Sequence, residues 1–388
     1  MPPTVVESVI PVSTDVPTER ELAQRSSPKR YKVPSLDGLR AFSILLVIID
    51  HGLVAGQHLH SGSLAKRILF AVCGNGRFGV QVFFVISGFL ITTLFLDEWS
   101  SRGEINLKAF YIRRFFRILP AYFAMVGIVA ALALAGDISA TPKDFAYALT
   151  FTWIYNFNPW NWYLAHTWSL CVEQQFYLFW PLALVVLGKR RVRWFAVALI
   201  MLVPLGRLGL TLTSSTALSR ACFFLKAGQF DILMFGCLAA ILRSSSRFQR
   251  IKRMQKWTWC CGLFAVLAIA TSAGRQLNID LFRSIPMLMF ADTIIGFGIV
   301  LGLVWLVDNP ESHIGSVFNS SVLVSIGLIS YSLYLWQQIF LPPAPGSAVQ
   351  RMPLNILCAV GVAIASYYLL ERPFIRLRIR LVGTKSPA

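Results

Sequence analysis

Charge is scarce in this sequence, and negative charge scarcest. Charged residues make up 14% of the 388 positions, with 18 Asp and Glu against 36 Lys and Arg. A soluble domain needs more polar surface than that. The seven cysteines include no Cys-x-x-Cys pair, and most lie inside apolar runs. They read as small packing residues, so neither a disulfide framework nor a metal site is expected. The first thirty residues hold no apolar signal-like core and no helical period. They exclude a cleavable signal peptide, and residues 1–34 read as a disordered cytoplasmic tail.

What the chain does have is apolar sequence: 56% of it is hydrophobic, with a mean hydropathy of +0.61. Apolar runs near the roughly 20 residues that span a bilayer recur along its whole length. We place spans at about 36–54, 78–96, 115–136, 167–187, 195–213, 229–242, 257–273, 286–307, 322–341 and 354–370. The expected fold is all-α, a polytopic membrane domain of about ten helices with no room for a separate soluble catalytic domain. The apolar stretch 145–155 is too short to cross and reads as re-entrant or interfacial.

A net charge of +18 could point to nucleic acid, but its distribution does not. The basic residues form short clusters between spans, such as Lys189-Arg190-Arg191-Val192-Arg193 and the run from Arg247 to Lys256. With both termini inside, the inner segments carry 24 Lys and Arg and the outer ones 10. That bias predicts an N-in, C-in topology. The segment 308–321 has no basic residue, so the eighth and ninth spans are the least constrained by charge.

Ionisable residues inside spans are costly and mark functional sites. Arg40 and His51 share the first span, eleven residues apart. That spacing puts them on one face, separated by about 16 Å of rise. Arg40 alone could snorkel to headgroups, but the pair on one stripe favours function. Before the third span, Arg114 and Arg117 project to one side, where planar guanidinium forks suit phosphate. A purely topogenic cluster is the competing reading. In the fourth span Glu173 heads a stripe with Tyr177 and Trp180. Its predicted depth matches that of His51, so the two are expected to pair. Arg77 and Gln81 share a face toward the outer half of the second span, and Ser87 and Gly88 read as helix-packing residues. Aromatic and polar residues of 155–168, among them Trp162, Tyr163 and His166, are expected to line the outer mouth and contact an acceptor. An interfacial aromatic belt explains them equally well.

These segments together resemble the acyltransferase-3 family of membrane acyltransferases. The matching elements are SLDGLRAFSILLVIIDH, GRFGVQVFFVISGFLIT, FYIRRFFRILPAY, HTWSLCVEQQFYLFWP, ISYSLYLW and ERPF. They run in the family's order from residue 35 to 374. The resemblance implies a membrane domain over 35–374 followed by a basic cytoplasmic tail, 375–388. It also implies transfer of an acyl group, commonly acetyl from acyl-CoA, to a hydroxyl of an envelope glycan, glycolipid or secreted metabolite. A multi-pass location in the bacterial cytoplasmic membrane follows, with no permanently bound cofactor and no nucleic-acid partner. Carried over, His51 would be the general base with Glu173 orienting it, and Arg40, Arg114 and Arg117 would bind the CoA phosphates. The family often has Asp where Gln81 stands and His where Gln337 stands, so neither is expected to move a proton here. Any hand-off beyond the membrane would need a separate protein.

The rival from another class is a secondary transporter or exporter of a lipid-linked or small polar substrate. Such proteins often carry duplicated halves. Residues 200–388 contain no second copy of Arg-x10-His or WSL-x-VE, which disfavours that reading.

Overall fold

The computed structural model describes residues 34–54, 63–156, 161–212, 229–254, 256–283 and 285–382. The predicted N-terminal tail, apart from Pro34, and the last residues of the C-terminal tail lie outside them. Among the described residues every regular element is a helix. The principal ones are α1 (Pro34–Val54), α2 (Gly76–Arg102), α3 (Leu107–Ala135), α4 (Thr167–Leu212) and α5 (Phe230–Arg243). They continue with α6 (Lys256–Gln276), α7 (Ile285–Asp308), α8 (Ser321–Leu328), α9 (Ser330–Phe340), α10 (Leu354–Ser366) and α11 (Arg372–Val382). The predicted apolar runs all fall in helical sequence, but the fourth and fifth share α4 and the ninth is divided between α8 and α9.

Among the described residues six helical stretches are long and apolar enough to cross a membrane, or seven if the bent pair α8–α9 is one span. Two predicted spans stand outside that set for physical reasons. Helix α1 carries Asp37, Arg40 and Asp50 within its length, and α5 has only 14 residues. At 1.5 Å per residue α5 is about 21 Å long, short of the hydrocarbon thickness of about 30 Å. Helix α4 has the opposite problem, since its 46 residues would extend about 69 Å if straight. Gly188 breaks it, with φ of 69° and ψ of 167°, and the basic run begins immediately after the break. The stretch 145–155 is a short helix (Pro142–Leu149) and a single 3-10 turn (Trp153–Tyr155), as its length required.

The predicted ninth span is not one continuous helix. Helices α8 and α9 meet at 68° around Ile329. The Ser330 hydroxyl donates to the Gly327 carbonyl (2.7 Å), a local side-chain bond that competes with the helical ladder. Gly327 lies against α1 so closely that a Cβ there would stand 2.0 Å from the Asp37 carbonyl oxygen. Helices α2 and α5 also touch backbone to backbone. A Cβ at Gly88 would lie 2.1 Å from Leu233 O, and one at Gly236 would lie 2.1 Å from Val85 O. Small residues permit this approach, as expected for Gly88.

Segments predicted for the same side of the membrane meet one another. Lys189 donates to Ser100 (3.3 Å) and lies over the Trp99 ring. Asp308 accepts from Lys252 (2.7 Å) and Arg243 (3.3 Å), and Ser35 donates to Asn319 (2.8 Å). At the opposite ends of the helices Asn75 donates to Ser272 (2.8 Å).

Candidate functional site

Two cavities lie in series along α1, one at the level of Arg40 and one at the level of His51. Val80 of α2 and Tyr334 of α9 line both and form the wall between them. The Tyr334 hydroxyl is held at 2.6 Å from Ser169 Oγ and donates to the His166 carbonyl (3.1 Å).

The smaller cavity, about 100 Å³, gathers Arg40, Arg114 and Arg117 from α1 and α3. Arg40 pairs with Asp37 one turn earlier (2.8 Å). The Arg114 guanidinium lies 5.0 Å from the centre of the Tyr177 ring and 5.6 Å from that of Phe110. Stacking of this kind suits the flat, weakly hydrated guanidinium better than an ammonium. Thus the structure brings together the three arginines that the sequence singled out. It adds Glu371 from the terminal ERPF element, whose carboxylate accepts from Ser332.

Glu173 lines this same cavity, and the expected His51–Glu173 pair does not exist. Glu173 Oε1 accepts from Ser87 Oγ (2.6 Å), and its charged neighbours are the three arginines. The reason is axial. Glu173 lies seven residues beyond His166, about 10 Å of rise along the chain's helical path, and it is His166 that reaches the level of His51. Depth counted from soft span boundaries missed by that amount.

The larger cavity, about 550 Å³, is lined by Asp50, His51, Arg77, Trp162, His166 and Gln338, among others. His51 Nδ1 lies 2.8 Å from Gln337 Oε1, and its ring packs edge-on against Trp162 at 5.2 Å. Trp162 in turn donates through Nε1 to the Gln338 carbonyl (2.9 Å). His166 Nδ1 lies 2.6 Å from Gln338 Oε1, which also accepts the backbone N–H of His166 (3.2 Å). Consecutive glutamines of α9 therefore hold the two imidazoles of one cavity. Of the three predicted acceptor residues, Trp162 and His166 line it, whereas Tyr163 packs partly buried against the core.

Sequence reasoning missed Gln338 and undervalued Gln337, whose amide is the hydrogen-bond partner of His51. The only available signal was their place directly after the ISYSLYLW element. With Gln337 Oε1 as acceptor, His51 Nδ1 carries the hydrogen and Nε2 presents its lone pair.

Comparison with known proteins identifies the family. A family model described as an acyltransferase domain matches residues 33–372. The peptidoglycan O-acetyltransferase OatA of Listeria monocytogenes is 28% identical over 334 residues, covering 79% of this chain and 49% of the relative. A putative O-acetyltransferase of Staphylococcus aureus is 30% identical over 381 residues, covering 91% of this chain and 59% of the relative. A putative peptidoglycan O-acetyltransferase of Bacillus subtilis, YrhL, is 26% identical over 382 residues, covering 91% and 56%. The chain thus spans about half the length of the curated relatives it matches. No solved structure matches it. With the family's motifs assembled around two cavities inside a bundle of membrane-length helices, the chain belongs to the acyltransferase-3 family of integral membrane acyltransferases.

Proposed function

We propose that the protein is an O-acyltransferase of the bacterial cytoplasmic membrane. It moves an acetyl group from acetyl-CoA to a hydroxyl of a cell-envelope glycan. The observation that carries this reading is the pair of cavities in series, arginines in one and imidazoles in the other, with Val80 and Tyr334 lining both. The names of the relatives support an envelope glycan as acceptor, and peptidoglycan is the acceptor that two of those names state.

The donor's phosphates bind Arg40, Arg114 and Arg117 by bidentate, charge-assisted bonds. Glu173 and Asp37 balance these guanidiniums and keep them apart when no donor is bound. The extended thioester arm then follows α1 over the roughly 16 Å of rise between Arg40 and His51. In the larger cavity His51 Nε2 takes the hydroxyl proton as the oxygen attacks the thioester carbonyl, and the thiolate leaves to be protonated in turn. Gln337 holds the ring in place through the 2.8 Å contact at Nδ1. Trp162 and His166 contact the acceptor.

The orientation that suits cytoplasmic CoA is N-in and C-in with ten spans. The contacts of Lys189 with Ser100 and of Lys252 with Asp308 support it, because loops expected inside sit together. The purified chain, given radiolabelled acetyl-CoA and peptidoglycan fragments, should form an acetyl ester. Acetyl-CoA that neither binds nor is consumed would overturn the reading.

A further inference from the structure

Five charged side chains outside the proposed reaction path converge beside the larger cavity. Arg207 grips Asp231 with two bonds of 2.8 and 2.7 Å. Arg275 donates to Asp292 Oδ1 (2.7 Å), and Gln81 donates to the same oxygen (3.0 Å). Arg207 also approaches Asp292 at 3.5 Å. Both carboxylates are buried and satisfied by these partners. Arg77 is the third guanidinium, and it comes no nearer to Asp292 than 3.6 Å. Three cations face two anions, and Gln81 adds no charge.

Arg77 is also the member that opens toward the cavity. Its side chain is 50% exposed, and it shares the cavity wall with His51 and His166. The Gln229 amide oxygen, turned toward it, accepts from Nη2 (2.7 Å) and Nε (3.1 Å). That contact holds the guanidinium without cancelling its charge. Asp50 lines the same cavity, packed against Gly76, but the ion pair Arg77 makes among the described residues is with Asp292.

A second observation points to a ligand in this cavity. Gln338 Oε1 accepts the His166 backbone N–H, so it is an oxygen, and His166 Nδ1 beside it must donate. His166 Nε2 is then a lone pair, buried and without a hydrogen-bond partner. An N–H or O–H donor, such as a sugar hydroxyl, would complete it.

We propose that Arg77 forms an anion-recognising subsite and that the acceptor is a hydroxylated anion. Its carboxylate or phosphate docks on Arg77 while a hydroxyl donates to His166 Nε2, which leaves a neighbouring hydroxyl for His51. The identification of this anion with the acceptor rests on the acyl-transfer reading above, whereas anion binding itself does not.

The test uses the purified full chain and three probes: methyl glucoside, methyl glucuronoside and glucose 6-phosphate. Thermal unfolding is titrated with each. An anionic sugar should raise the midpoint saturably and the neutral one should not, and the two anions tell carboxylate from phosphate. Arg77→Gln should weaken the anion by about 10-fold or more, as loss of a charge-assisted bond does, while Arg77→Lys keeps most of the effect. Gln229→Glu, which pairs Arg77 in place, should weaken it likewise and guards against misfolding of Arg77→Gln. Equal behaviour of neutral and anionic sugars in the wild type, or undiminished anion binding in folded Arg77→Gln and Gln229→Glu, overturns the subsite. Acetyl transfer to the same three sugars is measured alongside. Anion binding without any transfer overturns the acyl-transfer reading and leaves the subsite. Transfer to all three with equal KM in wild type and Arg77→Gln overturns the subsite and leaves the transfer.

Discussion

Glu173 accepts a 2.6 Å hydrogen bond from Ser87 in the arginine cavity, one cavity away from His51. The two residues therefore act separately. His51→Ala should lower kcat by roughly 10²–10⁴-fold, the usual loss for a positioned base. Glu173→Gln should act on the KM for acetyl-CoA. Distant sites without shared partners give nearly additive effects, so the double variant should be close to the product of the single ones. A double variant no worse than His51→Ala would restore the two as one unit.

Gln337 positions His51. Gln337→Ala should lower kcat by as much as about 10²-fold, the cost of a reacting group about 1 Å out of place, with donor KM little changed. Gln337→Glu retains an acceptor for His51 Nδ1 and should recover most of the rate. Steady-state kinetics on the three proteins decides this, and equal loss in both variants would make the contact merely structural.

Arg114 stacks on Tyr177 and faces the same cavity as Arg40 and Arg117. Arg114→Lys keeps the charge but loses the planar fork, so acetyl-CoA binding should weaken by about 10-fold. The double alanine variant of Arg114 and Arg117 should still insert, since Arg102, Lys108 and Arg113 remain nearby. Unchanged acetyl-CoA affinity in that variant would return the pair to a topogenic role.

The α2–α5 contact tolerates no side chain. Gly236→Leu would drive its Cβ to 2.1 Å from Val85 O and should abolish recovery of folded protein. Gly127→Ala, where nothing lies within 4 Å, should be recovered like wild type. Size-exclusion profiles of the two variants in detergent give the comparison.

Single cysteines placed at Arg191 and Arg250 in a cysteine-free background should be labelled only from the cytoplasmic side. One at Lys143 should be labelled only from outside. Labelling of Arg191→Cys and Arg250→Cys from outside would reverse the proposed orientation.

Much of this molecule was legible in its residues. Apolar runs located most of the long helices, because a segment that crosses lipid must satisfy its backbone internally. Helical periodicity put Arg40 and His51 on one stripe, and the fork geometry of arginine marked Arg114 and Arg117 before any cavity was seen. Tertiary structure decided the partners. Periodicity reports a residue's face and approximate depth but not which neighbour that face meets, so Glu173 went to Ser87 and His51 to Gln337. The bend at Ile329 sets the position of α9. Successive residues on a helix point about 100° apart, which lets Gln337 hold His51 while Gln338 holds His166. The cluster of Arg77, Arg207, Arg275, Asp231 and Asp292 draws on five helices, α2, α4, α6, α5 and α7 in that order. No spacing in the sequence announces it, because long-range charge pairing is settled only when the helices pack.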